Sequence, residues 1–125
     1  MKRLSYDKLS TKLIDVVPEL RGEYEKERKW WGEEIPGPHI IFGDILTPHL
    51  ISLLESNREK GRLERIFDFL EELANHEDAH VREVVQVTVC ERLGDKKEWL
   101  EKARQYMGKA TLRLSHEIEK FWGRE

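Results

Sequence analysis

Residues 65–95 read RIFDFLEELANHEDAHVREVVQVTVCERLGD, and apolar side chains recur along them at steps of three and four residues. This spacing places the apolar side chains on one face of a helix. With Leu63 just before this stretch, the apolar positions form two groups. The first is Leu63, Ile66, Phe67, Leu70, Leu73 and Ala74, and the second is Val81, Val84, Val85, Thr88 and Leu93. They predict two amphipathic helices, separated by the polar residues 75–80, with Gly94 as the end signal of the second.

The second of these helices contains the valine-rich run VVQVTV at residues 84–89. β-Branched residues are poor helix formers, so propensity alone would also allow a strand here. The helical spacing continues on both sides of the run, and we therefore predict a helix. Val87 and Val89 make it apolar around much of its circumference, which indicates a central position in the fold.

The same spacing continues towards the N-terminus. It predicts one helix that ends before Pro18 and a second over residues 18–31, since proline suits the first turn of a helix. The next seven residues, GEEIPGP, contain two prolines and two glycines, which is typical of a loop. We place this loop at residues 32–44 and expect a buried helix after it, which Pro48 either kinks or starts.

The pattern towards the C-terminus predicts a helix capped by Asp95 and closed by Gly108, and a last helix that Thr111 opens. The second half then forms two helical hairpins, residues 62–93 and 95–122. Their sequences are not visibly similar, so the likeness to HEAT repeats is one of packing style.

The sequence therefore predicts an all-α, single-domain bundle of six to seven helices that spans residues 1–125. Its parts are N-terminal helices at 1–31, the Gly/Pro loop at 32–44, and HEAT-like stacked helical hairpins at 45–125. A chain of 125 residues has the length of one ordinary domain.

Composition excludes several classes of function. Charged residues make up 38% of the chain, and 25 acidic against 22 basic side chains give a net charge of −3, which disfavours a nucleic-acid binder. No apolar run reaches the roughly 18–20 residues of a membrane span, and the opening residues do not resemble a signal peptide. Cys90 is the single cysteine, so we expect no disulfide and a cytoplasmic location.

Residues 76–80, HEDAH, match the zinc-peptidase pattern H-E-x-x-H. In that pattern His76 and His80 would hold zinc one helical turn apart, Glu77 would act as general base, and Glu98 could supply a third ligand. The apolar stripe lapses across this segment, however, which favours a solvated turn between two helices. We therefore predict no metal and no other cofactor, with a metal-dependent hydrolase as the alternative.

Other catalytic arrangements have little support. Cys90 lies in an apolar run, which is more typical of an inert core thiol than of a nucleophile. His39 and His49 flank the segment that contains Asp44, but their spacing fits no ligand pattern. The chain has neither a nucleophile elbow nor a Gly-rich phosphate loop. We therefore name no catalytic residue and expect a protein that is not an enzyme.

A recognition surface is a better candidate. Trp30, Trp31, His39 and Phe42 lie in or beside the Gly/Pro loop together with Asp44, and rigid aromatic side chains next to a loop suit protein contacts. Adjacent residues on a helix cannot both point fully inward. The alternative is that both tryptophans pack onto the core and brace the loop.

Charge is unevenly distributed along the chain. Residues 33–78 carry 11 acidic and 4 basic side chains, a net charge of −7, whereas the rest of the chain is positive. Such a segment would attract a basic protein partner. The alternative is an ordinary solvated helix surface.

Three pieces of the chain resemble a family of small, all-helical bacterial proteins of unknown function. They are WWGEEIPGPHIIFGD at residues 30–44, LGD at 93–95 and MGKAT at 107–111, and the resemblance covers residues 18–121. Such proteins are similar to members of polymorphic-toxin immunity neighbourhoods. The resemblance implies a small cytoplasmic protein that binds and neutralises a partner toxin, and it implies no catalytic residues.

These observations lead to one hypothesis and two alternatives. We predict a non-catalytic, cytoplasmic protein-interaction module, of the immunity type, that occludes a partner protein and binds neither nucleic acid nor membranes. The alternatives are the metal-dependent hydrolase and a structural homodimer in which exposed aromatic side chains bury each other.

Overall fold

A computed structural model of the chain describes residues 4–125, and all regular elements in this part are helical. Residues 1–3 of the predicted N-terminal region lie outside the described residues. These described residues form seven helices. One 3₁₀ turn, Tyr6–Lys8, precedes the first helix, and a second, Pro18–Leu20, precedes the second helix. The prediction of an all-α single domain is confirmed.

Five of the helices are uninterrupted: α1 (Leu9–Val16), α2 (Arg21–Trp31), α4 (Lys60–Ala74), α6 (Lys97–Arg104) and α7 (Lys109–Phe121). The other two contain a widened π-helical stretch between α-helical ends. These are α3, formed by Pro38–Ile41, Phe42–Leu46 and Thr47–Ser56, and α5, formed by Ala79–Glu83, Val84–Cys90 and Glu91–Leu93.

Helix α5 lies at the centre of the fold. It packs against α3, α4 and α7, and its residues Val84, Val85, Val89 and Cys90 are fully buried. Val87 is partly exposed, so the apolar surface does not close around the whole helix. One core joins fully buried side chains from every helix except α2, whose Tyr24 packs against it partly buried. The predicted central position of the valine-rich helix is thus correct.

The predicted loop at residues 32–44 is wrong beyond residue 37. Pro38 opens α3, with Gly37 at the N-cap, because the first turn of a helix tolerates a proline that lacks an N–H group. Pro48 lies inside the same helix. Its ring would clash with the carbonyl four residues earlier in a regular α-helix. The widened stretch Phe42–Leu46 ends two residues before Pro48, and the N–H group of Thr47 donates to the carbonyl of Phe42, five residues back.

The widened stretches of α3 and α5 lie against each other. A Cβ on Gly43 would be only 3.2 Å from the methyl group of Thr88, so glycine permits the close approach. The buried Thr47 hydroxyl lies 3.0 Å from the carbonyl oxygen of Phe42 and 3.1 Å from that of Thr88, and its proton is shared between them. This hydroxyl satisfies carbonyl groups at the place where regular helical bonding is disturbed.

Helix α7 begins at a carboxylate from another helix. The N-cap residue Gly108 has no side chain, and Glu71 of α4 takes its capping role. The Glu71 carboxylate accepts hydrogen bonds from the N–H groups of Ala110 (3.0 Å) and Thr111 (2.9 Å) and from the Thr111 hydroxyl (2.7 Å). The predicted cap of α6 is wrong, because Lys96 is at that N-cap and the Asp95 carboxylate accepts from Arg124 instead.

The last two helices do not form the self-contained hairpin predicted at residues 95–122. Helix α6 packs mainly on the Thr47–Ser56 part of α3, whereas α7 packs on α4 and on the widened stretch of α5. Helices α4 and α5 do contact each other as the first predicted hairpin requires. The HEAT-like packing style predicted for residues 45–125 stays a prediction.

Replacing Gly108 tests the cap on α7. In Gly108→Ala the new Cβ would lie 2.4 Å from Cδ of Glu71, so the carboxylate must move and its three bonds to α7 weaken. We expect the free energy of unfolding to fall by about 1–3 kcal/mol in urea denaturation. Gly61→Ala is the matched control, because no atom lies within 4 Å of that Cβ, and it should leave stability unchanged or slightly raised. Equal stability of the two variants would contradict the capping role.

The same cap makes stability depend on pH. Partial burial acts to raise the pKa of Glu71, but the hydrogen bonds from Thr111, Ala110 and Asn75 outweigh it and hold the pKa below its ordinary value of 4.5. The stabilisation is therefore present above pH 4.5 and is lost as the pH falls through the lowered pKa. In unfolding measurements, the stability difference between wild type and Glu71→Gln should be largest at neutral pH and shrink in acid. A difference that is constant with pH would show that the charge of Glu71 is unimportant.

Candidate functional site

A groove of about 820 Å³ lies between α2 and α3. One wall is the face of α2 that carries Glu23, Glu27, Trp30 and Trp31, and the other is the part of α3 that carries Asp44, Ile45, Pro48 and His49. Helix α2 contributes residues to the groove at successive turns. None of its side chains is fully buried. The groove therefore brings three predicted site residues, Trp30, Trp31 and Asp44, to one place.

The two tryptophans form the aromatic part of the groove. Their rings meet edge to face, with centroids 5.6 Å apart and an angle of 75° between the planes. Trp31 is half-buried and its indole N–H donates to a carboxylate oxygen of Glu27 at 2.8 Å, whereas Trp30 is 79% exposed. The alternative that both tryptophans pack into the core is therefore wrong.

The polar lining of the groove is mainly acidic. Glu23, Glu27 and Asp44 face a single lysine, Lys26. His49 adds no positive charge near neutral pH, because burial lowers its pKa below 6.5 and outweighs the opposing effect of Glu19. The lining thus has a net charge of −2 and aromatic surface beside it.

Two predicted site residues do not reach the groove. Phe42 is fully buried and stacks on Phe69 at a centroid distance of 6.4 Å, so its assignment to a partner surface is wrong. Nδ1 of His39 lies 2.7 Å from the hydroxyl oxygen of Thr88, and the His39 ring contacts Tyr6. The reason is the early start of α3, which turns His39 towards Thr88 of α5 and Phe42 towards Phe69 of α4, whereas Asp44 lies on the exposed side of the helix.

Seven lining residues of the groove were not predicted as site residues, namely Leu20, Glu23, Lys26, Glu27, Ile45, Pro48 and His49. Glu23 and Glu27 precede Trp31 at four-residue steps, and this spacing on a helix was a signal that could have found them. His49 has no such signal, since its position depends on the packing of α3 beside the turn that carries Glu19. Its Nε2 atom is buried and makes no hydrogen bond with any described residue, and it lies 3.8 Å from a Glu19 carboxylate oxygen.

The HEDAH segment lacks the geometry of a zinc site. Residues 75–78 lie outside any helix, and α5 starts only at Ala79, with the Asp78 carboxylate capping it through the His80 N–H group at 2.9 Å. Both ring nitrogens of His76 are occupied. Nδ1 accepts from the Asp78 N–H group at 3.0 Å, and Nε2 donates to the carbonyl of Leu4 at 2.6 Å.

Glu98, the predicted third zinc ligand, does not support the metal-dependent hydrolase either. Glu98 lies in the first turn of α6, where a carboxylate oxygen is 3.7 Å from the ammonium nitrogen of Lys102. Across residues 4–125, no three His, Cys, Asp or Glu side chains are grouped so that they could hold a metal ion. The motif needs a continuous helix, and the fold replaces it with a turn, so the hydrolase has no structural support.

Cys90 is a core residue. It is fully buried in the widened stretch of α5, and burial raises the pKa of the thiol to about 12. The thiolate is the nucleophilic form, so this side chain is inert at neutral pH. No helix in the described part of the chain is long and apolar enough to span a bilayer.

The state of Cys90 can be checked with a thiol reagent such as Ellman's reagent. We expect the folded protein to react at least about a hundredfold more slowly than the protein in denaturant, because the folded thiol is both inaccessible and protonated. The reaction in denaturant is the internal control. A fast reaction of the folded protein would show that the centre of α5 opens readily.

Comparisons with known proteins give one result. Neither the curated proteins nor the solved structures include a match to this chain. A family model does match, over residues 10–123, and its description is "Domain of unknown function". This match agrees with the resemblance to a family of unknown function that the sequence indicates. The matched region includes all seven helices except one residue of α1, and the chain therefore belongs to this family, DUF7674.

Proposed function

We propose that the protein is a non-catalytic interaction module of the cytoplasm that binds a basic segment of a partner protein in the groove between α2 and α3. The observation that carries this proposal is the combination of Trp30 and Trp31 with three carboxylates in one groove. Aromatic surface and negative charge together suit arginine and lysine side chains.

Each part of the groove has a role in such binding. A cation over the exposed ring of Trp30 gains a cation–π interaction, which is strongest on tryptophan. Carboxylates of Glu23 and Asp44 stand on opposite walls, so a basic side chain between them can form charge-assisted hydrogen bonds to either. Glu27 is already tied to Trp31 and holds that indole in place.

The surroundings of the groove support a basic partner. Glu33 and Glu34 are exposed in the turn that follows α2, and they begin the acidic segment of residues 33–78. Exposed carboxylates such as Glu33 and Glu34, close to Trp30 and Trp31 in the chain, speed the encounter with a positive surface and disfavour acidic partners. A specific interface buries about 800 Å² on each partner, which one face of a domain of this size can supply.

The mechanism proposed is occlusion. A protein that covers a surface of its partner needs rigid contact residues and no reactive group, and this matches the inert Cys90 and the fully engaged His76. Neutralisation of a toxin, which the family resemblance implies, is one form of occlusion. A second copy of the chain is the competing occupant, because Trp30 and Ile35 are both more than three-quarters exposed.

Peptide titration tests the proposal. Oligoarginine, oligolysine and oligoglutamate peptides of equal length are titrated while tryptophan fluorescence and heat are recorded. We expect the two basic peptides to bind, with an affinity that falls as salt rises, and the acidic peptide not to bind. Trp30→Ala and Asp44→Asn should each weaken binding at least about tenfold, because both side chains line the groove.

Two variants outside the groove serve as controls. Phe121→Ala removes an exposed aromatic ring from α7, and Glu117→Gln removes an exposed carboxylate from the same helix. Both should bind the basic peptides as wild type does. Equal weakening in all four variants would reveal non-specific charge attraction and reject the groove. A dimer in light scattering that Trp30→Ala dissociates would assign the groove to a second copy instead.

A further inference from the structure

A histidine with an unpaired ring nitrogen lies in the wall of the groove between α2 and α3. Nε2 of His49 is buried and makes no hydrogen bond with any described residue, whereas the His49 side chain as a whole is 24% exposed and lines the groove. A buried polar atom without a hydrogen bond costs free energy, so such atoms are uncommon in folded proteins. The binding proposed for the groove makes no use of this nitrogen.

A carboxylate from the turn before α2 faces this nitrogen. One oxygen of Glu19 lies 3.8 Å from Nε2 of His49, which is too far for a hydrogen bond but close enough for an ion pair. A neutral imidazole gains little from that contact. An imidazolium has an N–H donor on both ring nitrogens, so protonation gives Nε2 a charged acceptor within reach.

Two arginines of α4 complete this cluster. Nη2 of Arg65 donates to both carboxylate oxygens of Glu19 at 3.0 Å, and Nε of Arg62 lies 3.7 Å from one of them. The negative charge of Glu19 is therefore already balanced in part before His49 carries any charge. A proton on His49 has to compete with two guanidinium groups for the same carboxylate.

This competition keeps His49 uncharged at neutral pH. Burial lowers the pKa of His49, Glu19 raises it in part, and Arg62 lowers it further, so that it lies below the ordinary value of 6.5. Helix α6 packs on the same part of α3, but none of its charged side chains contributes to this shift in the pKa. The side chain is therefore neutral at pH 7 and takes up a proton in mild acid.

That proton enters an acidic groove. The lining carries Glu23, Glu27 and Asp44 against Lys26, a net charge of −2, and one proton on His49 changes it to −1. A cation held in the groove then has a second positive charge beside it, and like charges a few ångströms apart repel each other. The protonated histidine thus opposes the class of ligand that the groove is proposed to bind.

We propose that His49 is a proton-operated switch of the groove: the neutral side chain permits a basic segment to bind, and the protonated side chain pairs with Glu19 and weakens that binding. This inference rests on the function proposed for the groove and adds its regulation. The partner is held near neutral pH and released in mild acid. None of the other four histidines lines the groove, so the switch is assigned to His49 alone.

Binding of an oligoarginine peptide at about pH 7.5 and at about pH 5.0 tests the switch. The peptide keeps its charge over this range, and ordinary carboxylates titrate below it. We expect the affinity of wild type to fall at least about fivefold in acid. His49→Gln cannot be protonated and should lose most of this fall, whatever its affinity at neutral pH. His116→Gln removes an exposed histidine from α7 and should show the same fall as wild type.

Proton NMR gives a readout that needs no variant. The Cε1 proton signals of His49 and His116 are followed over the same pH range, with and without saturating oligoarginine. If the proton weakens peptide binding, linkage requires the peptide to lower the pKa of His49 by an equivalent amount. The pKa of His116 should respond clearly less, because its Nδ1 faces Glu125 and it lies outside the groove lining.

The outcomes separate this inference from the function on which it rests. Absence of peptide binding at neutral pH would reject the basic-partner function and the switch with it. Binding that is present at neutral pH but does not weaken in acid, or that weakens equally in wild type and His49→Gln, would overturn the switch and leave the function standing. A pKa of His49 that saturating peptide does not lower would overturn the switch as well.

Discussion

The close contact between the widened stretches of α3 and α5 is the constraint on which the rest of the molecule depends. A proline inside α3 and a run of β-branched residues in α5 both disturb regular helical bonding, and the two disturbances meet at Gly43 and Thr88. The Thr47 hydroxyl satisfies a carbonyl on each side of the contact. With α3 fixed in this way, Phe42 enters the core while Asp44 stays exposed, and the groove beside α2 follows from that orientation.

The all-helical class and most helix ends could be predicted from the sequence because they depend on local chemistry. Pro18 starts a helical turn, and Gly32 ends α2 with a positive φ of 66° that glycine adopts without strain. The start of α3 could not be predicted in the same way. The segment Pro36-Gly37-Pro38 suits a loop and the first turn of a helix equally well. Only the packing of α3 on α5 decides between the two.

The candidate site, like the fold, could be predicted from the sequence only in part. Trp30, Trp31 and Asp44 were predicted from their proximity in sequence to the loop, and they do line one groove. Phe42 could not be placed without knowing that residue 38 already begins a helix. Hydrogen-bond partners that are distant in sequence could not be predicted either, because the local pattern of α4 does not indicate that Glu71 caps a helix almost forty residues later. Gly94 and Gly108 read as helix stops, yet each makes room for a carboxylate from a distant helix.

Helix α2 supplies a wall of the groove but no fully buried side chain, and only its Tyr24 packs, partly buried, against the core. Substitutions on exposed surfaces usually change the free energy of unfolding by less than about 0.5 kcal/mol. The residues of α2 that line the groove and the residues that hold the fold together are therefore largely different sets, whereas Leu20 and Ile45 belong to both the groove and the core. In evolutionary terms, an exposed helix face of this kind can diversify rapidly while the core that holds the fold stays under the same selection.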